Sequence, residues 1–258
     1  MNAIIVTAPL APMMREPSPR AEIVSQIPSG ETGLVEEDRG DWLRIVRSED
    51  RYIGWVHRGY LRLSSSREAE SWALRATHRS EGVRLRGKQG DLVTLPLLAR
   101  VVPAGEWWEL ASGWRGQAEG GSVSTADTLA RVAGTKRPLD WAREYFGGSP
   151  YLWGGITPWG VDCSGLVQST FAARGLPLPR DAADQAECGQ PVPPDQVEPG
   201  DLAFFSESGS RITHVAFAGD DETLVHSTLA CGGFIVESWR PGTRAARLKD
   251  QLVAARRM

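Results

Sequence analysis

Short apolar segments broken by turn residues fill the first half of the chain. AIIV, AEIVSQI, TGLVEE, DWLRIV, YIGWVH and YLRL follow one another up to residue 63, with breaks at Pro17 to Pro19, Ser29-Gly30, Gly40-Asp41 and Glu49-Asp50. A spacing of about 8 to 12 residues between turn signals predicts a small all-β barrel. A second series from about residue 70 to 125 (SWALRAT, GVRLRG, DLVTLPLLARVV, WWELASG, WRGQAEG) keeps that turn density and carries Trp72, Trp107, Trp108 and Trp114. It has the character of a diverged copy of the first, although no residue-level repeat links them.

Near residue 130 the alternation gives way to helical spacing. Pro138 suits a first helical turn, and Leu139, Trp141, Ala142, Tyr145 and Phe146 form an apolar face before Gly147-Gly148 ends the helix. A second helix is bounded by Asp162 as N-cap and Gly175 at its end, with Leu166, Val167, Thr170 and Phe171 on its inner side. After the proline-rich stretch from Pro191 to Pro199, DLAFF, ITHVAFAG, TLVHS and FIVESW read as strands. Helices followed by strands predict an α+β domain with the second helix on an antiparallel sheet. The expected organisation is two small all-β domains, 1–63 and 64–126, and an α+β domain, 127–258.

Composition narrows the class. Of 258 residues, 41% are hydrophobic and 24% charged, as in an ordinary globular protein, and a net charge of −3 gives no general attraction to nucleic acid or to an anionic membrane. No apolar run is long enough to span a bilayer, and the start MNAIIVTAPLAPMM lacks a basic segment and is broken by Pro9 and Pro12, unlike a signal peptide. Cys163, Cys188 and Cys231 are an odd number without C-x-x-C spacing, which fits a reducing, cytoplasmic setting. Cys188 and Cys231 are expected to be buried structural thiols. The basic residues between Arg240 and Arg257 sit among Ala and Leu at helical spacing and are expected to form a solvated helix face.

Cys163 follows the Asp162 cap, where the positive end of the helix would favour its thiolate. Taken alone, a cysteine is more often an inert buried side chain. Its setting tells otherwise: the turn YLWGG, Gly160 and Gly165 surround it, places where a Cβ would crowd a substrate. His214 shares a strand face with Ala216 and Ala218, which leave its imidazole room to reach a nucleophile, and His226 on the next strand could orient it. This is the nucleophile, base and orienter logic of a Cys-His-His hydrolase. A zinc site of the same three residues is the weaker alternative, because structural zinc sites rarely lack a close ligand pair; no metal or other cofactor is expected.

YLWGG, GVDCSGLVQ (160–168), LPRDAADQ (178–185), PGDLAFF, ITHVAF and LVHS, in that order, resemble the successive motifs of the NlpC/p60 family of cell-wall cysteine peptidases. The resemblance implies a papain-like α+β fold with Cys163 as nucleophile, His214 as base and His226 as the third catalytic residue. MMREPSPRAEIVSQ, GDWLRIV and RYIGWVHRGYLRL are similar to the first of two bacterial SH3-type barrels that precede the peptidase in one subgroup. That subgroup cuts between γ-D-glutamate and the diamino acid of peptidoglycan stem peptides and needs a free L-alanine amine. The resemblance then implies a muropeptide substrate, Tyr151 near the oxyanion, and Asp162, Ser164 and Arg180 around the D-glutamate. Asp181 with Glu22 and Tyr52 would hold the amine, Tyr60 being the competing tyrosine. Ala182 stands where some relatives have serine. Two other functions remain open: a wall-binding module with an inert peptidase fold, and a papain-like amidase or transacylase.

Overall fold

The computed structural model describes residues 2–258 and divides into two compact units, residues 1–131 and 132–258. In the first unit, β1 (Asn2–Val6), β2 (Leu10–Met14), β3 (Ile23–Pro28), β4 (Thr32–Arg39), β5 (Trp42–Arg47), β6 (Ile53–His57) and β7 (Leu61–Ser65) form one sheet in the order β3-β2-β6-β5-β4-β1-β7. Alternation drives it: Ile4, Val6, Met13, Ile27, Leu43, Ile45 and Val56 fill one core.

A helix, α1 (Ser66–Arg75), leads to β8 (His78–Ser80), β9 (Arg84–Gly87), β10 (Leu92–Thr94), β11 (Arg100–Ala104), β12 (Trp107–Glu109), β13 (Arg115–Gly120) and β14 (Val123–Thr125). Their order is β10-β9-β13-β12-β11-β8-β14. Counted from its own first strand, the second sheet repeats the strand order of the first, a likeness that residue-level comparison does not show. Both are open sheets rather than the closed barrels expected.

The segment SWALRAT, expected as a strand, lies largely in α1. Ser65 accepts from the Glu68 N–H while the Glu68 carboxylate accepts from the Ser65 N–H, and this capping box starts a helix that outweighs the apparent alternation. Within the unit, Ala69 and Trp72 of α1 pack with Ala3, Ile5, Val102 and Ala111, and the Trp72 indole N–H donates to the Gly30 carbonyl at 2.8 Å.

A short helix, α2 (Ala126–Gly134), precedes the helices and sheet of the second unit: α3 (Pro138–Phe146), the hairpin β15 (Ile156–Thr157) and β16 (Gly160–Val161), α4 (Cys163–Ala173) and α5 (Ala182–Gln185). The strands β17 (Gln190–Pro191), β18 (Leu202–Phe205), β19 (His214–Ala218), β20 (Thr223–Thr228), β21 (Gly233–Ser238) and β22 (Leu252–Arg257) form an antiparallel sheet in the order β17-β22-β18-β19-β20-β21. The expected helices are α3 and α4, and the four expected strands are β18 to β21. Leu166, Val167 and Phe171 of α4 pack on Phe204, Val215, Phe217 and Val225, while Ala203, Phe205, Ala216 and Leu224 face the other way toward Trp239 and Ala245.

The C-terminal segment departs from the sequence reading. Leu252–Arg257 is not a helix face but a strand between β17 and β18, paired Ala203 to Ala255 and Leu202 to Arg256, because its alternating side chains satisfy a sheet edge that β18 leaves open. Among the described residues no helix is long and apolar enough to cross a membrane.

Candidate active site

The β15–β16 hairpin delivers the chain to Asp162, whose side chain accepts from the Gly165 N–H at 2.7 Å and the Gly154 N–H at 2.8 Å. That cap starts α4 with Cys163 at its first position. Arg180, from the loop before α5, donates to Asp162 at 2.6 Å and to the Ser164 hydroxyl at 2.8 Å, and both side chains of the ion pair are buried. The Gln185 amide holds the same loop by donating to the Ser164 and Pro179 carbonyls. The structure thus gathers Asp162, Cys163, Ser164 and Arg180.

The glycines of this region serve backbone packing. A Cβ on Gly165 would collide with the Gly155 carbonyl, one on Gly155 with the Gly160 carbonyl, and one on Gly160 with the Leu152 side chain. The crowding they relieve is within the fold, not against a substrate as the sequence suggested.

Cys163 is 8% exposed, and its sulfur accepts from the backbone N–H groups of Val215 and Ser164. The first of these contacts sets it beside the start of β19, where His214 stands. His214 Nε2 lies 2.7 Å from His226 Nδ1, so its Nδ1 is the nitrogen left for proton exchange. His226 is 1% exposed, and its Nε2 lies 2.8 Å from Glu237 Oε1 on β21; Glu237 is in turn ion-paired with Arg244. Tyr151 is half-buried and senses both Cys163 and Asp162.

Burial decides the protonation states. It pushes the Cys163 thiol up to about 12, reinforced by the Asp162 carboxylate and opposed by the Val215 N–H, Arg180 and the Ser164 N–H. Burial, then His226 and Arg244, pushes His214 down to about 3. The resting pair is therefore a neutral thiol and a neutral imidazole, which corrects the expectation of a preformed thiolate: the partial charge of a helix start does not offset loss of hydration beside a carboxylate. Burial, Cys163 and Asp162 also raise the Tyr151 phenol, which stays protonated and able to donate.

Asp181 is exposed at the start of α5. Glu22 and Tyr52 belong to the N-terminal unit: Glu22 is ion-paired with Arg15, and Tyr52 is partly buried against the first sheet's core. Tyr60 is exposed in a short turn and packs edge-on to His57. Cys188 is partly exposed and Cys231, in a turn before β21, is exposed, so neither is the buried structural thiol expected. Among the described residues no group of three or more His, Cys, Asp or Glu is placed to hold a metal ion.

Sequence reasoning missed Glu237 and Arg244. The available signal was an acidic residue on the FIVESW strand, two positions from the residue that pairs with His226, which is Ile235.

Residues 148–251 match the NlpC/P60 family and residues 13–61 match the bacterial dipeptidyl-peptidase Sh3 domain. The chain is 30% identical over 217 residues to a gamma-D-glutamyl-L-lysine dipeptidyl-peptidase of Bacillus subtilis, covering 80% of this chain and 72% of that protein. It is 36% identical over 109 residues to a probable endopeptidase, NlpC, of Escherichia coli, covering 42% of this chain and 68% of that one. The crystal structure of an NlpC/P60 family protein from Bacillus cereus superposes with a TM-score of 0.79 at 17% identity over 99% of both chains.

Proposed function

Since the chain belongs to the NlpC/P60 family of cysteine peptidases, we propose that it hydrolyses the bond between γ-D-glutamate and the diamino acid of peptidoglycan stem peptides bearing a free N-terminal L-alanine, as in murein peptide recycling. The observation that carries this reading is the hydrogen-bonded pair His214–His226 at 2.7 Å beside a capped cysteine whose sulfur takes the Val215 N–H.

His214 Nδ1 takes the thiol proton as the Cys163 sulfur attacks the γ-carbonyl carbon. The oxyanion is held by the Cys163 backbone N–H and the protonated Tyr151 hydroxyl. The imidazolium of His214 gives its proton to the leaving amine, and water then attacks the acyl-enzyme, losing its proton to the same nitrogen. A neutral resting pair suits this order, because charge develops only when substrate has displaced water from the groove. The buried Arg180, fixed by Asp162, supports a subsite for the D-glutamate carboxylate together with Ser164. The free amine is a cation near neutral pH and requires a carboxylate, the role assigned to Asp181. The shared strand order supports reading residues 64–126 as a second SH3-type domain.

The test is hydrolysis of L-Ala-γ-D-Glu-diaminopimelate, followed by mass spectrometry. Cys163→Ala is expected to abolish release of the diamino acid while leaving the circular dichroism spectrum unchanged, and full activity in that variant refutes the mechanism. Acetylating the substrate amine is expected to prevent cleavage; an unchanged rate refutes the free-amine requirement.

A further inference from the structure

The geometry points to Glu237 as the positioning residue that sets which nitrogens of His214 and His226 carry protons. The argument runs inward from the edge of the sheet. Glu237 is ionised: burial works against it, but hydrogen bonds from His226 and from the Arg244 guanidinium outweigh burial and hold its carboxyl below the usual range. An ionised carboxylate only accepts, so the hydrogen shared at 2.8 Å belongs to His226 Nε2. With a single proton on the His226 ring, held at Nε2 by this contact, Nδ1 is left bare. The contact of 2.7 Å between the rings then requires the proton on His214 Nε2, and His214 Nδ1 is left with a free lone pair.

That lone pair is the one the thiol proton needs. In the opposite pattern, His226 would donate through Nδ1 and His214 would carry its proton on Nδ1, leaving neither of its nitrogens free to act as a base. One acidic side chain thus selects between a competent and an inert site without touching substrate. Arg244, on the turn Arg244–Leu248, contacts both oxygens of Glu237 and prevents the carboxylate from taking the His226 proton. The titratable and charged groups that face Glu237 are the His226 ring on β20 and the Arg244 guanidinium on this turn; Arg247 and Glu207 line the cavity that borders His214 and His226. In the proton step the Cys163 S–H bond breaks and a His214 Nδ1–H bond forms, with Nε2–H retained and its charge stabilised through His226 by Glu237.

The kinetic part of the test rests on the proposed peptidase reaction, while the spectroscopic part does not. Nitrogen-15 spectra of the full chain, with His57 and His78 assigned by substitution, are expected to show Nε2–H and bare Nδ1 on both His214 and His226. Glu237→Ala leaves the Arg244 donors facing His226 Nε2 and is expected to move His214 to the Nδ1–H form. It should also lower kcat on the stem peptide by about 10- to 100-fold, as loss of an outer partner of a functional histidine does, with KM within about twofold. Glu237→Asp is expected to recover part of both. Nδ1–H on His214 in the unaltered protein overturns the inference, whatever the variants do. So does a folded Glu237→Ala chain with unchanged ring protonation, even if its activity falls. If the unaltered chain cleaves no stem peptide, the proposed function fails and the spectra still decide the role of Glu237.

Discussion

Replacing Arg180 by methionine isolates the charge that holds the start of α4. The guanidinium donates to Asp162 at 2.6 Å and Ser164 at 2.8 Å, and the Arg180 and Asp162 side chains are only 2% and 8% exposed. Methionine fills a comparable volume but leaves the Asp162 carboxylate buried without a cation, its remaining donors being the Gly154 and Gly165 N–H groups and the Ser164 hydroxyl. Removing one partner of a buried ion pair costs about 3–5 kcal/mol, which at 1.4 kcal/mol per decade corresponds to faster exchange of the slowest α4 amides by roughly 10²- to 10³·⁵-fold. Hydrogen exchange is the appropriate assay because it reads this helix directly in a chain of two compact units. Adding Asp162→Asn should restore much of the protection, since asparagine still caps the helix and the orphaned charge is gone. Exchange within tenfold of the original in Arg180→Met, or a double variant no better protected than the single one, would refute the reasoning.

Alkylation of Cys163 in a Cys188→Ser, Cys231→Ser background is expected to accelerate about tenfold per pH unit from pH 7 to 10 without levelling, because a thiol pushed up to about 12 is protonated throughout and its thiolate fraction grows with each unit; a plateau below pH 7 would instead report a preformed thiolate. Gly165→Ala is expected to destabilise the second unit by about 1–3 kcal/mol through collision with the Gly155 carbonyl, read as a lower denaturant midpoint, and an unchanged midpoint would show that the hairpin yields freely.

Local signals carried far in some places and failed in others. The cap at Asp162, the glycine after α4 and the apolar face of α3 act within one or two helical turns, and those elements fall where the sequence places them. The alternation of His214, Ala216 and Ala218 against Val215 and Phe217 likewise appears as two faces of β19, packed on different clusters. The helix α1 was misread because the capping box at Ser65 and Glu68 competes with a weak alternation in the same residues. β22 was misread because Ala and Arg suit either structure, and its choice depends on an unpaired β18 edge more than forty residues earlier in the chain.

The order of residues alone determined that Cys163 heads a capped helix and that two histidines sit on successive strands, because capping and strand alternation are contacts between near neighbours. Only the folded arrangement decided that the sulfur rests as a thiol and that the histidines continue to Glu237 and Arg244. Hydration lost on burial, and the register that sets Leu224 opposite Glu237 and His226 opposite Ile235, are properties of segments brought together from across the chain.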